Sequence, residues 1–68
     1  MPGWQKVDGK RLRELRLERM ISQAELAQKA GVTQAAISVY EHGGRQLQPR
    51  SVRKLADALD VEPRELLP

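Results

Sequence analysis

The sequence of 68 residues contains no cysteine and no phenylalanine, and it has only one histidine, one tryptophan and one tyrosine. Without cysteine, neither a disulfide framework nor a thiolate metal site can stabilise the chain. His42, the single histidine, cannot form a zinc site by itself, so we expect no metal and no cofactor. The opening stretch MPGWQKVDGK has no apolar run of the kind found in secretory signals or membrane anchors. This favours a protein of the cytoplasm with no membrane partner.

The residues that are present suit a small basic domain. Hydrophobic residues make up 40% of the chain, the formal net charge is +3 and the pI is near 9.8. A domain of this size buries only about 60% of its unfolded surface, so its stability must come from apolar packing between helices. Arginine outnumbers lysine, and the arginine fork can bond two anionic oxygens at once. The balance favours an anionic partner, with a basic domain that binds no anion as the alternative.

The first half of the sequence predicts three helices behind a loose arm. Residues 1–8 show no periodicity and read as a flexible arm, with Trp4 folded back onto the domain. A first helix over 9–20 is capped by Asp8 and has an inward face at helical spacing. A second helix over 22–30 begins with a capping box, Ser22 and Glu25, and ends at Gly31. A third helix over 33–42 has Thr33 as its N-cap and ends at Gly43 and Gly44. The inward face of the first helix comprises Leu12, Leu15, Arg16 and Met20.

The second half predicts two further helices. Pro49 and Pro63 each suit the first helical position, where a missing N–H costs nothing, and they open helices over 49–59 and 63–67. The loop GGRQLQP connects the third and fourth helices, and Leu47 within it belongs to no helical stripe. No run alternates with period two, so no strand is predicted. The expected fold is all-α: a compact five-helix domain over 9–68 that contains a helix-turn-helix.

The spacing of Ala27, Gly31 and Ile37 is typical of two short helices that cross at a sharp angle. Together with the surrounding sequence, this spacing closely resembles the phage-repressor and Cro type of helix-turn-helix, the XRE family. The surrounding sequence is LRELRLERMISQAELAQKAGVTQAAISVYEHG followed by LADALDVEPRELL. The resemblance covers Gly9 to Leu67 and implies a lambda-repressor-like fold. It also implies a transcriptional regulator that binds double-stranded DNA in sequence-specific fashion.

The resemblance implies a set of DNA contacts. In this family the second helix of the motif enters the major groove with its N-terminal residues on base edges. The expected base contacts are Gln34, Ala35, Ser38 and Val39. The expected backbone contacts are Gln23, Thr33, Arg45 and Arg50. The alternative for Gln34 and Gln23 is an ordinary polar residue in the first turn of a helix. Arg11, Arg13 and Lys29 are weaker candidates, because charges on an amphipathic helix usually face solvent.

Two further expectations concern packing and assembly. Arg16 and Glu41 fall on inward faces, and the family often pairs these residue types there, so we expect a structural ion pair rather than a catalytic one. A single recognition helix covers few base pairs, so we expect a homodimer on an inverted-repeat site. Its candidate interface residues are Leu47, Val61, Leu66 and Leu67. The alternative for the two leucines Leu66 and Leu67 is closure of the core, expected of at least one of them.

Other functions are weaker alternatives. The same helical fold could serve as an antitoxin or a protein-interaction module, and such proteins often bind DNA as well. An enzyme is poorly supported, because the sequence has one histidine, no cysteine, no phosphate-binding loop and no carboxylate pair beside a nucleophile.

Overall fold

The computed structural model describes residues 3–43 and 45–68, which form four α-helices, a two-stranded ladder and one 3-10 helix. The helices are α1 (Gly9–Glu18), α2 (Gln23–Ala30), α3 (Gln34–His42) and α4 (Pro49–Leu59). The strands are β1 (Gln5–Lys6) and β2 (Gln46–Leu47), and the 3-10 helix spans Pro63–Leu66. Met1, Pro2 and Gly44 lie outside the described residues. The expectations for the first two positions of the arm and for Gly44 as a helix end therefore stay predictions.

The helix starts follow from local hydrogen bonding. Asp8 Oδ1 accepts from the Arg11 N–H at 3.1 Å, which caps α1. At α2 the capping box is complete, since Ser22 Oγ accepts from the Glu25 N–H and Glu25 Oε1 accepts from the Ser22 N–H, both at 3.0 Å. Each cap satisfies a backbone donor that a helix start leaves unpaired, so these helices begin where the sequence predicts.

Four sequence expectations are wrong. The chain is not helical throughout, because β1 pairs antiparallel with β2, with Gln5 opposite Leu47. The expected fifth α-helix is a 3-10 helix of four residues. The first helix ends at Glu18 rather than at residue 20, and Met20 is 90% exposed with a φ of 56° instead of facing inward.

The ladder and the bonds next to it also order residues 5–8, which the sequence analysis assigned to a loose arm. The Val7 N–H donates to the Arg45 carbonyl at 3.2 Å and the Asp8 N–H to the Leu66 carbonyl at 2.7 Å. Val7 is buried within the core, whereas Trp4 is 49% exposed. Residues 5–8 therefore belong to the folded domain.

The core lies between the four helices, the ladder and the 3-10 helix. α3 packs against α1 and α2, and α4 packs against α2 and the 3-10 helix. The largest fully buried side chains in the described ranges are all aliphatic: Val7, Leu12, Leu15, Leu26, Ile37, Val52, Leu55, Leu59 and Leu66. Within the described ranges, no helix is long and apolar enough to cross a membrane.

Candidate nucleic-acid interface

The turn between α2 and α3 is built on Gly31. This residue has φ 72° and ψ 32°, the left-handed conformation in which a side chain is strained. The Val32 N–H donates to the Ala27 carbonyl at 2.9 Å and closes the end of α2. Two residues later Thr33 Oγ1 accepts from the Ala36 N–H at 3.1 Å and starts α3. Only residues 31–33 therefore connect α2 to α3, the short connection that a helix-turn-helix requires.

α3 buries one face and leaves the other open. Ile37 is fully buried in the angle between the helices, while Gln34 and Ala35 are exposed and Ser38 is half-buried. Val39 is 42% exposed, one of the few large apolar side chains in the described residues with that much surface in solvent. The four expected base-contact residues thus share the open face. Their side chains are short or neutral, so this face can approach base edges closely.

The structure brings Arg16 and Glu41 together beneath that face. Arg16 Nε donates to Glu41 Oε2 at 2.6 Å and a second guanidinium nitrogen donates to Oε1 at 3.2 Å. Only 10% of the Arg16 side chain and 4% of the Glu41 side chain are exposed. Arg16 also donates to the Ile21 carbonyl at 2.9 Å. The pair fixes α3 to α1 and to the turn before α2, which is a structural task.

The environment of Glu41 favours its charged form. Burial acts to raise the pKa of the carboxyl, but the hydrogen bonds from Arg16 and Gln23 and the positive charge of Arg16 together outweigh it. The net result is a pKa below the ordinary value. The carboxylate therefore stays ionised and bound to Arg16 at neutral pH.

Gln23, an expected phosphate ligand, is partly engaged within the protein. Its Nε2 donates to Glu41 Oε1 at 3.1 Å, which the sequence reasoning did not foresee. An amide nitrogen carries two N–H groups, so the second remains for a phosphate oxygen. The Thr33 hydroxyl also keeps a free donor. Its oxygen accepts from the Ala36 N–H, and its own O–H can still donate to a phosphate oxygen.

The two expected backbone arginines lie on either side of β2. Arg45 is exposed directly before this strand, and its carbonyl accepts from Val7 in the ladder. Arg50 is exposed in the first turn of α4. The ladder and the bond from Val7 thus hold the backbone of residues 45–47, and α4 holds that of Arg50.

Sequence reasoning missed a cleft beside α3. It is open to solvent, has a volume of about 430 Å³, and is lined by Arg13, Arg16, Gln23, Glu41 and His42. The sequence analysis considered His42 only as the end of the third helix and as a lone histidine unable to form a zinc site. Helical spacing could have found it, because residues 35, 38 and 42 recur at i, i+3 and i+7 and so share a face.

Two of the four expected dimer contacts are wrong for the folded chain. Leu47 is 7% exposed and Leu66 is fully buried, and both belong to the core. Leu47 seemed to have no partner because its burial depends on β2, which the sequence did not predict. Val61 and Leu67 are half-buried and pack against the core, so only their outer edges could meet a second copy.

No cluster of histidine or carboxylate side chains in the described part of the chain could hold a metal ion. The buried side-chain nitrogen and oxygen atoms of that part all have hydrogen-bond partners. What stands out at the surface is the open face of α3 and the exposed cations around it.

Comparison with known proteins gives consistent matches. A family model described as Helix-turn-helix matches residues 12–66. The HTH-type transcriptional repressor RghR of Bacillus subtilis (strain 168) is 43% identical over 54 residues, which are 78% of this chain and 40% of the repressor. This chain therefore spans less than half the length of that relative.

Two solved structures share the fold closely. The restriction-modification controller protein C.AhdI from Aeromonas hydrophila has a TM-score of 0.80 and 44% identity, over 87% of this chain and 86% of that chain. The P22 c2 repressor, solved in complex with a synthetic operator, has a TM-score of 0.82 and 33% identity, over 90% of this chain and 92% of that chain.

Proposed function

Because this chain belongs to the XRE-type helix-turn-helix family of DNA-binding transcriptional regulators, we propose that it binds an operator by inserting α3 into the major groove. The observation that carries the proposal is the open face of α3. Its exposed side chains are neutral, and the first of them, Gln34, is the first residue of the helix. The protein is accordingly a regulator rather than an enzyme, and it acts in the cytoplasm, where it has access to its operator.

Gln34 is the principal base-reading residue of the proposed interface. It is exposed in the first position of α3, and a glutamine amide can donate to adenine N7 and accept from adenine N6 at once. Ala35 and Val39 offer methyl groups to a thymine methyl, and Ser38 can bond a base edge. A bidentate contact of this kind discriminates against the wrong base by about 1–3 kcal/mol.

Contacts to the DNA backbone fix the position of α3. Gln23 and Thr33 each retain a donor at the start of a helix, where backbone N–H groups also favour an anion. Arg45 and Arg50 are exposed cations after α3 and at the start of α4. Neutralising phosphates releases counterions, so binding weakens steeply as the salt concentration rises.

A symmetric dimer on an inverted repeat completes the proposal. Two recognition helices related by a twofold axis double the number of base pairs read, and their half-sites lie about 34 Å apart, one helical turn of DNA. Since Leu47 and Leu66 are committed to the core, the contact between copies is left to the edges of Val61 and Leu67. Repression is the direction suggested by RghR, which is named a transcriptional repressor.

The experiment that tests this function is the selection of bound duplexes from a random pool. We expect enrichment of an inverted repeat whose half-sites are one helical turn apart. The duplex with the highest enrichment, called the selected duplex, should bind more weakly at higher salt. Failure to enrich any sequence over the starting pool would contradict sequence-specific binding.

A further inference from the structure

The outward face of the β1–β2 ladder carries the single tryptophan of the chain. Side chains alternate between the two faces of a strand, and the buried Val7 and Leu47 define the inner face. The four exposed side chains of the outward face, called the ladder face below, are Trp4, Lys6, Gln46 and Gln48. The tryptophan is 49% exposed, and tryptophan is among the side chains most enriched at the energetic centres of protein interfaces. The ladder face is therefore a candidate contact surface.

The ladder face lies close to the two half-buried apolar residues on either side of the 3-10 helix, Val61 and Leu67. The Asp8 N–H donates to the Leu66 carbonyl at 2.7 Å, which joins the stretch that contains β1 to the 3-10 helix. An extended chain rises about 3.3 Å per residue, so Trp4 lies about 13 Å from this junction. A specific interface buries about 800 Å² on each partner, a patch roughly 30 Å across. One interface can therefore include the tryptophan and both apolar residues.

The two ends of this surface carry opposite charge. Residues 3–7 and 45–56 contain five cations and no carboxylate, whereas residues 57–67 contain four carboxylates and one arginine. Lys6 at the basic end and Glu62 at the acidic end are both exposed. In a twofold interface both copies present the same patch, so the basic end of one copy can face the acidic end of the other. DNA phosphates would neutralise the cations but repel the carboxylates. The charge pattern therefore favours a second copy of this chain as the occupant.

We propose that Trp4 of one copy docks against Val61 and Leu67 of a second copy when both are bound to an inverted-repeat duplex. The basic end around Lys6 then faces the acidic end around Glu62 of the second copy. This inference rests on the proposed function, because it identifies the interface of the dimer proposed there. Twofold symmetry forms the contact twice, so two tryptophans leave water for each pair of copies. They supply the apolar anchors that the outer edges of the valine and leucine alone do not provide.

The duplex makes this contact effective. Two half-sites hold two copies side by side, which raises the effective concentration of each copy for the other. A contact too weak to join free copies then contributes to binding. It appears as cooperativity, defined as the ratio of the affinity of the second copy for the inverted repeat to the affinity of one copy for an isolated half-site.

The first test needs no substitution. Since Trp4 is the single tryptophan, its fluorescence reports on this contact without a label. The selected duplex should shift the emission to shorter wavelength, because the contact removes the indole from water, and the shift should saturate at two copies per duplex. A duplex with a single half-site should leave the spectrum unchanged. The same shift on the half-site would mean that the tryptophan meets DNA and would overturn the proposal, as would an unchanged spectrum on both duplexes.

The second test measures cooperativity in Trp4→Ala. We expect a loss of at least about tenfold, as for the truncation of a central interface tryptophan, with the affinity for the half-site unchanged. Leu17→Ala on α1 is the matched control, because Leu17 is 52% exposed and lies outside the proposed surface. It should keep the cooperativity of wild type. All variants are compared at a temperature at which their melting curves show them folded. Wild-type cooperativity in Trp4→Ala would overturn the proposal.

The third test exchanges charges between the two ends. Lys6→Glu and Glu62→Lys should each lower the cooperativity, because each places like charges opposite one another in the dimer. The double variant restores opposite charges and should recover most of the loss. A double variant no more cooperative than either single variant would overturn the orientation of the two copies.

The outcomes separate this inference from the function it rests on. If wild type does not prefer the selected duplex over an unrelated one, the proposed function fails. If it does prefer that duplex and binds it as two copies, but the emission of Trp4 is unchanged, only this interface fails. One copy per selected duplex at saturation would remove the dimer, and this interface with it.

Discussion

At the scale of single residues, the Arg16–Glu41 pair is the contact on which the position of α3 most depends. Both side chains are almost fully buried and are joined by two hydrogen bonds. Removing one partner leaves the other as a buried charge without compensation, which costs about 3–5 kcal/mol. For a domain with a total stability of roughly 3–10 kcal/mol, this is a large part of the free energy of unfolding.

We therefore expect Arg16→Ala and Glu41→Gln each to lower the melting temperature, and the double variant to be less destabilised than the sum of the two. The reason is that the second substitution removes the charge that the first left unpaired. Urea titrations of the four proteins measure the coupling. Strict additivity would mean that the two side chains do not stabilise each other.

The lowered pKa of Glu41 makes a further prediction about pH. A carboxyl with a pKa lowered by folding contributes stability that is complete above its unfolded value, near 4.5, and that is lost as the pH falls through the folded value. Wild type should therefore become less stable as the pH drops below about 4.5, and Glu41→Gln should lose part of that slope. Denaturation at a series of acidic pH values checks this, and identical slopes would contradict it.

At the scale of elements, α1 and α3 approach each other at Gly9. A Cβ at this position would meet the backbone of α3, including the carbonyl oxygen of Tyr40, and would lie 2.6 Å from the carbonyl oxygen of Glu41 and 2.7 Å from the nitrogen of Gly43. Backbone atoms cannot yield as a flexible side chain can. The start of α1 therefore lies directly against the end of α3, the helix that we propose reads DNA.

Gly9→Ala should accordingly destabilise the protein by about 1–3 kcal/mol, as overpacking does, although glycine-to-alanine changes within helices usually stabilise. Lys10→Ala, at the exposed neighbouring position, is the matched control and should change stability by less than about 0.5 kcal/mol. Thermal denaturation of the two variants and of wild type measures the difference in stability. A stabilising Gly9→Ala would show that the two helices are not in close contact.

The elements that the sequence predicted well are those with local signals. The caps at Asp8, Ser22 and Thr33 and the left-handed Gly31 act within three or four residues, so the sequence contains everything needed to place them. β1 and β2 are two residues each and are paired across the whole helix-turn-helix. No periodicity can appear in so short a strand, and for that reason Leu47 was misread as a surface residue.

The candidate site likewise has one part that the sequence predicts and another that only the structure reveals. The spacing that puts Gln34, Ala35, Ser38 and Val39 on one face of α3 is a property of the helix, and the sequence reveals it. The bond from Gln23 to Glu41 and the cleft at His42 depend on how three helices meet. Such contacts between distant residues carry no local signal, and they required the structure.

At the scale of the whole molecule, the proposed assembly on DNA depends on how much of the expected contact surface between copies stays exposed. Two of the four expected contact leucines and valines are buried, so association without DNA should be weak. We expect a monomer at micromolar concentration and two copies per inverted-repeat duplex at saturation. Analytical ultracentrifugation with and without the duplex measures both states. One copy per duplex at saturation, with equal affinity for an isolated half-site, would rule out the dimer.

Base reading by α3 is tested most sharply by the affinity of Gln34→Ala for the selected duplex and for its single-base variants. Gln28→Ala, an exposed glutamine on α2, is the matched control, and Arg45→Ala represents a backbone contact. We predict that Gln34→Ala loses about 1–3 kcal/mol of specific binding and its preference at one base pair. Gln28→Ala should match wild type, and Arg45→Ala should weaken binding to all duplexes and flatten the salt dependence. If Gln34→Ala keeps both the affinity and the base preference of wild type, α3 does not read DNA as described.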